Sequence, residues 1–260
     1  MELIEARDRA LEYMMETRSE VMQWFRGDFT VEEKADRSPV TQADRKVEEI
    51  LRTRIGRDFP GHGIIGEEFG EENPDADWVW TIDPIDGTLS FIQGLPLFAS
   101  LIALLHRGEP VMGVVALPAL GETAWAVKGM GAHESGRRLK VSPVKSLSKA
   151  VVGTGDRYCF RRQKSLGLLK HLEREAGLVR TYPDAFGHLM AARGAIDLMV
   201  DPLAYVWDYA PLKVLIEEAG GTFQNFTGRK ASLSEGTALT GNRELVRAVR
   251  KLCAAPGGRR

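Results

Sequence analysis

Cysteine is nearly absent: Cys159 and Cys253 are the only two in 260 residues. With no C-x-x-C spacing between them, a zinc ribbon, a dithiol redox pair and a disulfide-stapled scaffold are excluded, and both thiols read as reduced and structural. Long apolar runs are lacking as well. The longest strongly apolar stretch, Phe98 to Leu105, falls far short of the roughly 20 residues that a membrane crossing needs. From Met1 to Ala10 the chain carries both charge signs, where a secretory signal requires an unbroken apolar segment. A cytoplasmic protein with no membrane partner is expected. Neither charge sign is in excess, since 35 Lys and Arg face 36 Asp and Glu for a net charge of −1. Such a chain has no global positive field to gather nucleic acid, and no nucleic-acid partner is expected. Internal repeats are missing too. What remains is an ordinary globular composition, 43% hydrophobic and 27% charged, in a chain long enough for one large domain or two small ones.

Leu3, Leu11, Met14, Met22 and Phe25 recur at or near helical spacings among charged residues, so residues 2–26 read as an amphipathic helix that Gly27 can end. A second helix is signalled by Thr41 as a cap, by Asp44 in the first turn and by Ala43, Val47, Ile50, Leu51 and Ile55, with Gly56 and Pro60 breaking it. The texture then becomes β. Residues 63–66, 78–82, 98–105, 111–117 and 123–127 are apolar runs punctuated by Gly and Pro, which predicts a substantial sheet. Beyond about residue 140, short apolar runs at 150–152 and 197–200 alternate with helical segments near 161–175, 185–193, 208–219 and 242–253, an α/β pattern. A division into residues 1–140 and 141–260 follows, with the boundary in the Gly129 to Lys140 region, which reads equally as a hairpin loop. The tail 255–260 is expected to fray.

The chemistry is concentrated in Trp78-Val-Trp-Thr-Ile-Asp-Pro-Ile-Asp-Gly-Thr88, an apolar strand that stops abruptly at two carboxylates around a proline. Pro84 forces a turn that can aim Asp83, Asp86 and the carbonyl of Ile85 at one point, while the amides of Gly87 and Thr88 become available to an anion. Hard oxygen donors of this kind suit Mg²⁺. By itself such a segment also occurs as a surface turn. A second acidic site is Gly63-Ile-Ile-Gly-Glu-Glu-Phe-Gly70, where adjacent Glu67 and Glu68 would point opposite ways on an extended chain. A third is Pro39-Val-Thr-Gln-Ala-Asp44. A fourth is Val206-Trp-Asp-Tyr-Ala-Pro-Leu212, where Asp208 also reads as a helix cap.

Taken together and in order, Pro39 to Asp44, Gly66-Glu-Glu68, Asp83-Pro-Ile-Asp-Gly-Thr88 and Trp207 to Leu212 with Glu218-Ala-Gly-Gly221 resemble the inositol monophosphatase family over roughly residues 5–250. The resemblance implies an α/β (α+β) fold, a layered α-β-α-β-α sandwich of the inositol monophosphatase and fructose-1,6-bisphosphatase type, usually a homodimer inhibited by Li⁺. It implies two or three Mg²⁺ per active site. Carried over by position, Glu67, Asp83 and the Ile85 carbonyl would hold one ion, and Asp83, Asp86 and Asp208 a second. Gly87 and Thr88 would bind phosphate. Thr88, backed by Asp44 or Glu67, would orient a metal-activated water as nucleophile, with no covalent intermediate. In this reading the N-terminal part carries metal-binding loops and the C-terminal part completes the active site. Glu68 is open between ligation and an outward or supporting role.

Ser90 to Leu104 and Asp197-Leu-Met-Val-Asp201 resemble the histidinol-phosphatase branch, which implies histidinol phosphate as substrate and a place in histidine biosynthesis. Asp201 would contact the part of the substrate away from the phosphate. A carboxylate there can pair with an ammonium or accept from an inositol hydroxyl, so inositol 1-phosphate is the alternative substrate. A further alternative is a regulatory binding role in transcription, as some bacterial relatives have. Arg157, Arg161, Arg162 and Lys164 read as a solvated face. His188 reads as a packing histidine, and Trp207 and Phe223 as core.

Overall fold

The computed structural model describes residues 3–34, 39–228 and 236–254, so the tail 255–260 lies outside the described residues. In chain order α1 is Leu3–Trp24, β1 Val31–Glu33, β2 Pro39–Thr41, α2 Gln42–Asp58, β3 Gly63–Gly66, β4 Gly70–Glu72 and β5 Trp78–Asp86. Next come α3 Thr88–Ile92, β6 Ala99–His106, β7 Glu109–Leu117, β8 Glu122–Val127, β9 Gly131–Glu134 and β10 Arg137–Arg138. The rest comprises β11 Val151–Thr154, α4 Arg157–Arg162, α5 Leu166–Glu175, β12 Leu178–Thr181, α6 Asp184–Ala192, β13 Leu198–Asp201, α7 Val206–Glu218, β14 Thr222–Gln224, β15 Ala238–Gly241 and α8 Arg243–Ala254.

Two larger sheets organise these elements. One has eight strands in the order β10-β9-β8-β7-β6-β5-β3-β4, antiparallel except where β3 and β5 run parallel. The other has five, β12-β11-β13-β15-β14, with β11 parallel to both β12 and β13. Strand periodicity sorts their side chains into layers. Trp80, Ile82, Ile102, Leu104, Met112 and Val114 point to α1 and α2, while Leu101, Val115, Leu117 and Ala124 point to α6 and α7. On the smaller sheet Met199 faces α6 and α7, whereas Leu198 and Val200 face α4, α5 and α8. The layer order is therefore α-β-α-β-α.

Helix α7 is apolar nearly all round because it is buried between the sheets, touching β5 to β9 on one side and β14 and β15 on the other. Its Pro211 fits against Gly113 on β7. A Cβ on Gly113 would lie 2.6 Å from the Pro211 Cα, so only glycine permits this approach.

Some local expectations need correction. Helix α1 stops at Trp24, three residues before Gly27, and Gly27 does not take the left-handed conformation after it. Arg26 does, at φ 64°, with its guanidinium donating to the Gly94 carbonyl across the chain. Gly56 lies inside α2 on an open face, and the helix stops at Asp58, ahead of Pro60. Trp207 is only half-buried, stacked on exposed Tyr205 at 5.2 Å between ring centroids, whereas Phe223 belongs to the core. Residues 129–140 comprise turns and the β9–β10 hairpin at the edge of the larger sheet. Cys159 is half-buried, and Cys253 is buried with its thiol donating to the Val249 carbonyl at 3.3 Å. Among the described residues no helix is long and apolar enough to cross a membrane.

Candidate active site

The cleft is built where strands of the larger sheet end against the N-termini of α6 and α7. On an unbroken strand, residues three apart face opposite sides. In β5 the pairing with β6 slips between Asp83, opposite Leu101, and Asp86, opposite Ala99, so one extra residue is inserted at Pro84-Ile85. This bulge turns Asp86 to the same side as Asp83. Ser100 stabilises it by donating to the Pro84 carbonyl at 2.7 Å. Asp208 arrives from α7. It is a member of the cleft and, as the third residue of α7 rather than its N-cap, the acidic half of a capping box, its Oδ2 accepting from the Tyr205 amide at 2.6 Å.

Asp83, Asp86 and Asp208 each present a carboxylate oxygen, and the three oxygens lie within 4.8 Å of one another. Burial, then Glu67 and the neighbouring aspartates, holds Asp83 well above the usual carboxylate range. Burial and Asp184 do the same to Asp86, and burial and Glu67 to Asp208. Asp83 is 1% exposed and its Oδ1 has no hydrogen-bond partner. A buried carboxyl oxygen without a donor, among converging carboxyl groups that repel one another when ionised, is the arrangement a hard divalent cation satisfies. The residues fit a metal.

The loop after β5 continues into α3. Gly87 adopts φ 81°, and Thr88 opens the helix, where first-turn amides have no intrahelical acceptor. Thr88 Oγ1 donates to the Ile85 carbonyl at 3.1 Å and lies 3.5 Å from Asp44 Oδ1. Asp44 is held by its own helix start: Thr41 N donates to its Oδ2 at 2.8 Å, and burial pushes its pKa up to about 6.

Glu67 and Glu68 occupy a turn between β3 and β4 rather than an extended strand, which corrects the expectation that they face opposite ways. Lys34 donates to both, at 2.8 Å and 2.6 Å. Glu68 is not outward. Its side chain is 4% exposed and burial pushes its pKa up to about 7. The turn is pinned by a residue that sequence reasoning missed: Glu48, wholly buried on α2, accepts from the amides of Glu68 at 2.8 Å and Phe69 at 3.2 Å. Gly66 leaves it room, since a Cβ there would meet Glu48 Oε1 at 2.0 Å. The available signal was a glutamate on the stripe of Ala43, Val47 and Leu51.

Asp184 was also missed. It opens α6 at φ 45°, and a Cβ on Gly87 would lie 2.9 Å from its Oδ2. Surrounding protein, then Asp201 and Asp156, push its pKa up to about 7. The next amide, Ala185, donates to Asp86 Oδ2 at 2.7 Å. Asp201 ends β13 behind this turn and is 7% exposed, with Oδ1 accepting from Leu203 N at 3.0 Å. The cleft thus gathers Asp44, Glu67, Asp83, Asp86, Thr88 and Asp208, with Asp201 near enough to raise the pKa of Asp86, Asp184 and Asp208. Arg157, Arg161, Arg162 and Lys164 are exposed.

The sequence profile of the inositol monophosphatase family matches residues 2–255. The chain belongs to the inositol monophosphatase family. A histidinol-phosphatase of Mycobacterium tuberculosis is 40% identical over 210 residues, covering 77% of this chain and 79% of that protein. An inositol-1-monophosphatase of Rhizobium meliloti is 38% identical over 222 residues, covering 84% and 83%. The extragenic suppressor protein suhB from Bartonella henselae superposes with a TM-score of 0.90 at 26% identity, covering 97% of this chain and 99% of that one. Membership makes this chain a phosphatase, and the acidic cluster is the part of it suited to a metal.

Proposed function

We propose that this protein hydrolyses a small phosphate monoester with Mg²⁺ held in the acidic cleft, and that its substrate is histidinol phosphate. The observation that carries the reaction is the convergence of Asp83, Asp86 and Asp208 beside the Gly87-Thr88 turn, with an unpartnered buried oxygen on Asp83. Asp83, Asp86, Asp208, Glu67 and the Ile85 carbonyl would hold two or three ions. Bound Mg²⁺ would neutralise phosphate charge and acidify a water.

The remaining work falls to the chain itself. The amides at Gly87 and Thr88 receive phosphate oxygens at the start of α3. Thr88 Oγ1 orients the attacking water and passes its proton toward Asp44 Oδ1. The α6 and α7 N-termini keep Asp86 and Asp208 aimed inward through the amides of Ala185 and Tyr205.

Histidinol phosphate is favoured by the relative of that name at 40% identity and by Asp201 behind the phosphate turn, an anion for the substrate's ammonium. The inositol-1-monophosphatase relative supports inositol 1-phosphate as a second reading, with Asp201 accepting from a ring hydroxyl. A cytoplasmic homodimer inhibited by Li⁺ completes the proposal. Phosphate release from histidinol phosphate, inositol 1-phosphate and fructose 1,6-bisphosphate, each with Mg²⁺ and with EDTA, tests it. A marked preference for histidinol phosphate with Mg²⁺ is expected. Preference for the inositol ester would retire the substrate. No Mg²⁺-dependent release from any ester would retire the reaction and favour the regulatory binding role.

A further inference from the structure

We propose that His188 is a positioning residue that fixes the Asp201 carboxylate for the substrate's ammonium, so that it sets specificity without touching substrate. The inference rests on the reading of Asp201 given under Proposed function. His188 lies in α6, one turn beyond Ala185, and is 1% exposed. Its two ring nitrogens are both engaged. Nδ1 is 2.7 Å from Thr240 Oγ1, and Nε2 is 3.4 Å from Asp201 Oδ2.

In the tautomer with the proton on Nε2, the ring donates to Asp201 Oδ2 while Nδ1 accepts from the Thr240 hydroxyl, so one imidazole joins the two groups. Strand geometry makes this possible. Met199 and Asp201 lie on the same face of β13, toward α6, and Thr240 of β15 stands opposite Met199 in the antiparallel register. Three elements therefore meet at one imidazole.

The consequence falls on Asp201. His188 lies against one of its oxygens and the Leu203 amide, at 3.0 Å, holds the other, so both oxygens have a partner that orients the carboxylate. Among the described residues no Lys or Arg pairs with it. A fixed, uncompensated anion is what distinguishes an ammonium-bearing ester from one without it. The same helix holds Asp86 through Ala185 N. Through α6, the metal cluster and the ammonium site keep a constant separation.

The test compares histidinol phosphate with the same ester lacking its amino group, imidazolylpropyl phosphate, using the full-length protein with saturating Mg²⁺. Steady-state constants are measured for the wild type and for His188→Phe, His188→Gln, Thr240→Val and Asp201→Asn. For His188→Phe, the KM for histidinol phosphate should rise roughly tenfold, the scale of one hydrogen bond to a charged group, with kcat nearly unchanged and the deamino ester unaffected. His188→Gln, whose amide nitrogen reaches the Nε2 position, should restore most of the loss. Thr240→Val keeps the shape of the core and should move KM in the same direction by less. If Asp201→Asn leaves both esters alike, the Asp201 reading fails and this proposal with it. If Asp201→Asn is selective but neither His188→Phe nor Thr240→Val is, the positioning role alone is overturned. Equal losses on both esters, unrescued by Gln, would also overturn it.

Discussion

In the absence of metal the acidic cleft works against folding, so removing one of its charges should stabilise the protein while abolishing activity. Two unit charges of like sign 4.8 Å apart repel by about 3.5 kcal/mol at an effective dielectric constant near 20. Fully ionised, Asp83 would bear about twice that from Asp86 and Asp208 together. Protonating a carboxyl of ordinary pKa 3.8 at pH 7.5 costs about 5 kcal/mol, at about 1.36 kcal/mol per unit. The smaller cost limits the penalty. Solvent reaching half-buried Asp86 and Asp208, and the buried carboxamide that replaces the acid, reduce the gain from Asp83→Asn to about 2 kcal/mol. For a chain of this size that is about 4–8 °C in Tm. Thermal unfolding at pH 7.5 in EDTA should therefore rank Asp83→Asn above the wild type. Excess Mg²⁺ should reverse the order, because a ligand at about 100 times its Kd adds about 2.7 kcal/mol to the wild type and little to the variant. An Asp83→Asn protein less stable than the wild type in EDTA would refute the reasoning, and one retaining full Mg²⁺-dependent activity would refute the site.

Thr88→Ala should lower kcat by about 10²-fold or more while leaving the Mg²⁺-induced rise in Tm intact, which steady-state kinetics and thermal shift on the same preparation would separate. Asp44, at about 6, and Glu68 and Asp184, at about 7, have folded-state pKa values raised above their ordinary ones. The folded state therefore binds more protons than the unfolded chain, and stability in EDTA should fall as pH rises from about 4.5 to about 7. A Tm flat or rising across that window would contradict the assignment. Gly113→Ala should cost about 3 kcal/mol in urea unfolding because its Cβ meets the Pro211 backbone, a site with no slack. Gly56→Ala, with open space around it on α2, should instead gain about 0.5–1 kcal/mol.

The central strands and the longer helices were legible because their residues are buried on one or both faces and so carry period or length. β5 to β8 and α1, α2, α6 and α7 fall close to the expected places. Strands β12, β14 and β15 were not read. Each is three or four residues long, β12 is largely exposed, and none carries enough period to stand out from a loop. The carboxylates of the cleft were named from motif order, and the structure brings Asp83, Asp86 and Asp208 together. The supporting residues were not. Glu48 and Lys34 act through turns whose geometry is fixed by residues about 20 to 34 positions away. Glu67 and Glu68 were misjudged because alternation holds only on an extended chain, and here the chain turns.

From the sequence alone came the class of protein, the layered fold, the acidic motifs and the chemistry they suit, because each is written in local pattern or in motif order. Tertiary structure alone decided how Asp86 comes to the side of Asp83, by a one-residue bulge inside a continuous strand β5 rather than by a turn that ends it. It also decided that Asp208 is at once capping-box and cleft residue, and that His188 meets Asp201 rather than only packing. These depend on strand register and helix placement across the layers, where contacts join residues far apart in the chain and leave no periodic trace in it.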